Sequence, residues 1–339
     1  MSKVTIRDVA KRLNVNISTV SRVISNDPRI SEETKLRVKK VIEDMGFKPS
    51  PTARMLAGGK TNTIAVISPS LFAHFAVDAM RGIESELVNT DYDFQIYTTS
   101  KFTINLGEGK KHVSEIFERI LSERKADALI SISINIYNDK VVKMFAERKF
   151  PLVFIEGKES FGHRVTVDNT SGTYDATKYL LSNGRKKIGF AVGHIKLVES
   201  QMERLNGYRK AIEESGAVYD KKMFFQISSH VDPAEPARIL DYMIKQKVDA
   251  IMCAAGDWIA TGIIKEAGKR GINIPQDIAL IGYDDLDYTE SIGLSTVRQP
   301  VVEMGKKAFN LAMEAISGDK NARQQTIIFK PELIIRRTA

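Results

Sequence analysis

The chain has 339 residues, 43% of them hydrophobic, and a formal net charge of +8. Residues 1–60 hold 13 Lys and Arg against 6 Asp and Glu, so +7 of that excess sits on the first 60 residues and the rest is nearly balanced. A basic, patterned segment ahead of a neutral body is the footprint of a polyanion-binding module on a larger globular protein; a basic tail on an ordinary enzyme is the alternative, and the helical patterning argues against it.

One cysteine, Cys253, rules out an intrachain disulfide or a Cys-based zinc site, and five histidines show no metal-ligand spacing. No cofactor and no metal are expected. The N-terminus has no apolar secretory segment, and no run approaches the ~18 apolar residues of a membrane span. The expectation is a cytoplasmic protein with no membrane contact.

The first helix is predicted over 6–13, where Ile6, Val9, Ala10 and Leu13 repeat at helical spacing. Thr5 to Asp8 is a capping-box-like start. After the short link Asn14-Val15-Asn16, a second helix is predicted over 17–24. Val20, Val23 and Ile24 form its apolar stripe, and Ser18, Thr19, Ser21 and Arg22 fill the other side. Two short helices joined this tightly, the second exposing hydroxyls and a long cation, read as a helix-turn-helix. Pro28 stops the second helix. Ser31 caps a third, with Glu32 and Glu33 in its first turn, a stripe of Val38, Val41, Ile42 and Met45 with Leu36 beside it, and Gly46 at its end.

Pro51 and Gly58-Gly59 bracket a helix over 52–57 that is too short to persist alone in water. It is expected to order when two copies meet on DNA; a plain linker is the alternative on spacing alone. From residue 63 the texture changes. Strands are predicted over 63–68, 94–99, 128–133 and 152–156, and again over 187–193, 224–228, 250–254 and 278–283. Helices are predicted over 75–89, 111–124, 140–148, 171–183, 200–215, 233–246 and 258–270, and a further strand over 332–336. Continuous apolar strands alternating with helices mean parallel sheets covered on both faces. The fold class is α/β, an all-α headpiece followed by two doubly wound subdomains, with a cleft at the carboxyl ends of the strands.

Several segments carry a resemblance across nearly the whole chain. Val4-Thr-Ile-Arg-Asp-Val-Ala10, Ser18-Thr-Val-Ser-Arg22, Gly46-Phe-Lys-Pro49 and Ala53-Arg-Met-Leu-Ala-Gly58 resemble the LacI/GalR (lactose/galactose repressor) family. So do Val167-Asp-Asn169, Arg204-Leu-Asn-Gly-Tyr208, Ile281-Gly-Tyr-Asp-Asp285 and Ser295-Thr-Val-Arg-Gln-Pro300, in the family's order. The resemblance implies a ligand-controlled repressor with a periplasmic-binding-protein type body, acting as a homodimer on a double-stranded DNA operator. It implies a headpiece over 1–48, a hinge over 49–61 and a core over 62–339. Three crossings near Arg164, Ser291 and Thr326 would divide that core into an N-subdomain (62–163 and 292–325) and a C-subdomain (164–291 and 326–339).

By the resemblance, Ile17, Ser18 and Arg22 read bases, Arg22 having the geometry for guanine O6 and N7. Thr19 lies on the same helix. Thr5, Ser21, Asn26 and Arg29 would clamp phosphates, which position without specifying. Leu56, with Arg54 and Ala57 beside it, would be the apolar wedge in the minor groove. The effector positions would be Ser70, His74, Phe75, Glu156, Ser200, Arg204, Asp257, Trp258 and Asp284, a set that offers hydrogen bonds and a stacking face to a sugar or sugar derivative. Helix capping competes for Asp257, a structural ion pair or cap for Arg204 and Asp284, a helix-face or interface role for His74 and Phe75, and core packing for Trp258. Ala255-Gly256 departs from the amide-bearing pattern of some relatives, so no particular effector carries over. The rival reading is a global regulator governed by a phosphorylated protein partner, with a helix over 301–317 as the candidate docking face, although its apolar residues fit dimer or core packing equally well. No Gly-rich phosphate loop, Gly-x-Ser-x-Gly or His-Glu-x-x-His occurs, so an enzyme is not expected.

Overall fold

The computed structural model describes residues 4–24, 27–47, 60–99, 106–134, 138–157, 161–195, 198–228, 232–318 and 324–339. Asn26, Arg54, Leu56, Ala57 and the hinge segment lie outside the described residues.

The headpiece is three helices: α1 (Ile6–Leu13), α2 (Ile17–Ile24) and α3 (Glu32–Asp44). Its core is small: Val9, Ala10, Val20, Val23 and Val38 are buried, with Val15, Val41, Ile42 and Met45 packed against them. Val20 and Val23 are thus core. Asn14 takes a left-handed conformation (φ 53°), which Asn tolerates better than most residues. It ends α1 and drops Val15 onto the core. Asn16 then starts α2, its Oδ1 accepting the Ser18 N–H at 3.1 Å. Leu36 is not part of the stripe: it is 68% exposed.

The body holds two six-stranded sheets. Strands β1 (Thr63–Ser68), β2 (Asp93–Thr98), β3 (Ala128–Ile132), β4 (Leu152–Ile155), β5 (His163–Val167) and β11 (Thr326–Phe329) form the first, ordered β2-β1-β3-β4-β5-β11 and wholly parallel. Strands β6 (Ile188–Val192), β7 (Phe224–Gln226), β8 (Ala250–Cys253), β9 (Ala279–Asp284), β10 (Ser295–Arg298) and β12 (Glu332–Ile334) form the second, ordered β7-β6-β8-β9-β10-β12, with β12 antiparallel to β10.

Alternation sorts β1 between two cores. Ile64 and Val66 face helices α4 (His74–Leu87) and α12 (Val301–Ser317); Ala65 and Ile67 face α5 (Leu106–Ser122) and α6 (Asp139–Arg148). The second sheet is covered likewise by α7 (Asn169–Ser182) and α8 (Glu199–Glu214) on one face, and by α9 (Glu235–Lys245) and α10 (Asp257–Lys269) on the other; the short α11 is Thr289–Ile292. Two helix pairs cross with backbones touching. A Cβ on Gly82 would stand 2.0 Å from the Val302 carbonyl oxygen, and one on Gly207 would stand 2.2 Å from that of Thr170.

The three crossings do not fall where expected. Strand β5 pairs with β4, β10 with β9 and β11 with β5, so the chain changes lobe after residues 167, 298 and 329 rather than near Arg164, Ser291 and Thr326. The subdomain bounds shift by about one strand. The reason is that β5, β10 and β11 are short and carry His163, Arg164, Thr296, Arg298 and Thr326, so they lack the continuous apolar texture of the other strands. All three exits are carboxyl ends of strands paired in parallel, which places the hinge on the cleft side. Helix α12 matches its predicted span, but Met304, Ala308, Leu311 and Ala312 are buried in the first lobe. Its apolar stripe is core rather than a docking face. Among the described residues no helix is long and apolar enough to cross a membrane.

Candidate nucleic-acid interface and effector cleft

On α2, Ile17 is 43% exposed, and Ser18 and Arg22 are exposed beside it, while Thr19 and Ser21 are half-buried. The solvent face of the helix therefore presents one apolar, one hydroxyl and one guanidinium group. Two expected phosphate clamps are already engaged. Thr5 donates from both its N–H (2.8 Å) and its hydroxyl (2.7 Å) to Asp8 Oδ2, which lowers the Asp8 pKa. Arg29 lies along Asp27, with Nε to Oδ1 at 3.0 Å and Nη2 to Oδ2 at 2.7 Å, and this pairing holds Asp27 well below the carboxylate range. A phosphate must compete with these partners.

The cleft is built at strand ends. Residues with left-handed backbone gather there: Ser133 (φ 52°) after β3, Glu156 (φ 56°) after β4, and Asp284 (φ 116°) and Asp285 (φ 60°) at the end of β9. Such strain in non-glycine residues persists only where surrounding contacts hold it. At the centre Arg204 reaches from α8. Its Nε donates to Asn169 Oδ1 at 2.9 Å and its Nη1 to the Ala254 carbonyl at 2.8 Å, while its guanidinium lies 3.7 Å from the Tyr283 ring centroid. Asp284 follows Tyr283 and accepts from Gln299 Nε2 at 2.7 Å. Burial raises its pKa, and the Arg204 charge pulls it down. His74 is exposed at the start of α4 in the first lobe, its ring 6.4 Å from that of Tyr288 in the second. Arg81 on the same helix meets Asp287 at 3.4 Å, a second contact between lobes. Trp258, at the first turn of α10, is 54% exposed, so it is not core.

Other expected effector positions serve the walls. Glu156 Oε1 accepts from Thr166 Oγ1 and the Val167 N–H, both at 2.8 Å, and Oε2 from Asn169 Nδ2 at 3.1 Å. Its carboxylate ties β4 to β5; burial raises its pKa, and these bonds oppose the shift. Asp257 is fully buried and takes the Asp285 N–H (2.7 Å), the Leu286 N–H (3.1 Å) and Thr296 Oγ1 (2.8 Å). It holds the loop that carries Asp284. Desolvation, with Asp284 adding repulsion, pushes it up to about 8. Phe75 packs on the first-lobe core. Ser70 is half-buried, and its hydroxyl accepts the Phe72 N–H at 3.1 Å. Ser200 is buried on α8, one turn ahead of Arg204.

In the sequence, Asn169 and Gln299 stood out only as members of signature segments. Asn169 is fully buried at the first crossing and joins Glu156 and Val167 of one lobe to Arg204, Glu203 and Tyr283 of the other. Gln299 sits at the second crossing, 5% exposed, with Oε1 lacking a hydrogen-bond partner among the described residues. Their position at strand exits was the available signal, and crossings expected a strand too early hid it.

Residues 5–50 match the family described as bacterial regulatory proteins, lacI family, and residues 177–339 match the periplasmic binding protein-like domain. The HTH-type transcriptional regulator DegA of Bacillus subtilis is 30% identical over 342 residues, covering 98% of this chain and 97% of that one. The HTH-type transcriptional repressor PurR of Photobacterium profundum is 29% identical over 338 residues, covering 98% of each. Among solved structures, the lac repressor dimer bound to operator and the anti-inducer ONPF aligns with a TM-score of 0.78 at 20% identity over 99% of each chain. The transcriptional regulator CelR–cellobiose complex aligns with a TM-score of 0.70 at 24% identity, over 99% of this chain and 100% of that one. At these identities the two structures speak to the fold.

Proposed function

The chain belongs to the LacI family of bacterial regulatory proteins, and from that premise we propose that this DNA-binding transcriptional regulator represses carbohydrate-metabolism genes in the cytoplasm, binding a palindromic operator as a homodimer under control of a sugar-type effector in the cleft. The observation that carries the effector reading is the arrangement of Arg204, Asp284 and Gln299 at the cleft. A guanidinium, a carboxylate and a buried amide oxygen without a donor suit a ligand that both accepts and donates, as vicinal hydroxyls do. The exposed Trp258 indole supplies an apolar face for the C–H side of a ring. The cellobiose complex of CelR is consistent with that class.

On DNA, Ile17, Ser18 and Arg22 read base edges, and Thr5, Ser21 and Arg29 hold the backbone. The hinge around Arg54, Leu56 and Ala57 enters the minor groove between the two half-sites. Coupling runs through the crossings. A ligand contacting Asp284 and Gln299 from one lobe and His74 from the other favours one lobe orientation. It shifts DNA binding only by its differential affinity for the two states.

The test is selection of DNA from a random duplex pool by the purified protein, repeated with a panel of sugars, sugar phosphates and nucleobases. A palindrome whose binding one sugar weakens or strengthens supports the reading. Enrichment of no sequence at low salt, where phosphate contacts are strongest, would sink the operator half. A response to nucleobases alone would sink the sugar half.

A further inference from the structure

At the first crossing one amide serves two carboxylates, one from each lobe. Asn169 Oδ1 accepts from Arg204 Nε at 2.9 Å and from Tyr283 OH at 3.2 Å. Reversing the amide would set its N–H groups against the guanidinium, so its orientation is fixed. Its Nδ2 therefore faces Glu156 Oε2 at 3.1 Å, the Val167 carbonyl at 3.2 Å and Glu203 Oε2 at 3.2 Å. An amide nitrogen carries two hydrogens, and here three acceptors compete for them.

The two carboxylates differ in what else they meet. Glu156, just past β4 in the first lobe, takes two further donors, Thr166 Oγ1 and the Val167 N–H, both at 2.8 Å. Glu203, half-buried on α8 of the second lobe, has no other hydrogen-bond donor among the described residues. The charged and titratable groups facing the pair are Glu199 and Arg204 from α8, Arg164 from β5 and the Tyr283 hydroxyl from β9. Arg204 spends its hydrogen bonds on Asn169 and Ala254. Arg164 forms no ion pair among the described residues, and its buried Nε lacks a partner there. Burial first, then the Glu156 charge, raise the Glu203 pKa; the Asn169 bond opposes them, Glu199 adds repulsion and Arg164 attraction.

The separation of the two carboxylates is set by how the lobes stand. Two like charges drawn to one amide oppose the arrangement seen here, and neutralising one of them favours it. Three donors keep Glu156 an acceptor, so the proton belongs on Glu203.

We propose that the lobes adopt this arrangement with uptake of one proton, held by Glu203 beside the Glu156 carboxylate, so that lobe orientation is linked to pH. A ligand that prefers this arrangement tightens the hold on that proton, and acid tightens the binding of that ligand by the same factor. The linkage depends neither on the operator nor on the effector class.

The test is energy transfer between dyes on Lys149→Cys in the first lobe and Lys222→Cys in the second, in the full chain diluted into unlabelled protein so that each signal comes from one chain. Cys253 is fully buried and stays silent. From about pH 8 to about pH 5 the transfer efficiency should move along a one-proton curve whose midpoint lies above the ordinary carboxylate range. Glu203→Gln, uncharged at every pH, should hold the low-pH value throughout. Glu199→Gln should move the midpoint down by about 0.2–0.4 pH unit, the size of a like-charge i, i+4 repulsion on a helix. A flat profile in the parent chain, or a transition that survives Glu203→Gln, overturns the proposal. Because neither DNA nor effector is present, failure here is distinct from failure of the repressor reading.

Discussion

Replacing Asn169 with Ala should loosen the junction of the two lobes more than any surface change. The Asn169 Oδ1 accepts from Arg204 Nε at 2.9 Å and from Tyr283 OH at 3.2 Å, and its Nδ2 donates to Glu156, Glu203 and the Val167 carbonyl at 3.1 to 3.2 Å. Alanine leaves a guanidinium, a phenol and two carboxylates short of a partner, all of them buried except the half-buried Glu203. Each stranded buried group costs about 1–3 kcal/mol, and more where charged. These losses share neighbours and do not add, and Arg204 keeps Ala254 and the Tyr283 face, so a total of about 3 kcal/mol is expected. Urea unfolding followed through Trp258, the single tryptophan, measures it. Asn206→Ala, exposed on α8, is the control and should change stability by less than about 0.5 kcal/mol. A loss under about 1 kcal/mol for Asn169→Ala would show that the network is incidental to the junction.

Gly207→Ala should destabilise by about 3 kcal/mol, because its Cβ would collide with the Thr170 carbonyl where α7 and α8 touch; Gly268→Ala, with open space around it, should be neutral or stabilising by about 0.5 kcal/mol, and thermal melts compare the two. Asp257 and Asp284 are both raised by burial, so the folded state holds their protons more tightly than the unfolded chain does. The Asp257 contribution is full below about pH 4 and fades as pH rises toward about 8, and Asp284 acts in the same direction; unfolding midpoints should fall between about pH 5 and about pH 8, and Asp257→Asn should flatten that slope. Arg22→Ala should cost about 1–3 kcal/mol of operator affinity and relax preference at a single base pair, which competition binding against substituted duplexes reads; equal loss on every sequence would make Arg22 a phosphate contact.

Much of this architecture was legible because local periodicity is a local property. The stripe of Val20 and Val23, the Asn14–Asn16 link and the Ser31 cap each follow from a few neighbouring residues, and the headpiece is built from them. The continuous apolar strands announced two covered parallel sheets with their carboxyl ends together, whereas Arg204 and Asp284 were named for the cleft by the resemblance to the family.

What sequence alone could not decide is which partner each group would meet. Strands β5, β10 and β11 take their lobe from pairing with β4, β9 and β5, contacts that their own mixed polar residues do not encode, so the crossings were placed about a strand early. Asp257 and Glu156 have the chemistry of ligand-binding carboxylates, and tertiary structure commits that chemistry to the backbone of neighbouring strands and loops. Asn169 and Gln299 gain their importance only from standing where the chain changes lobe. Hydrophobic periodicity determines elements and their faces, since it depends on spacing along one chain. The occupancy of a carboxylate or an amide depends on donors supplied from distant segments, and folding alone brings those together.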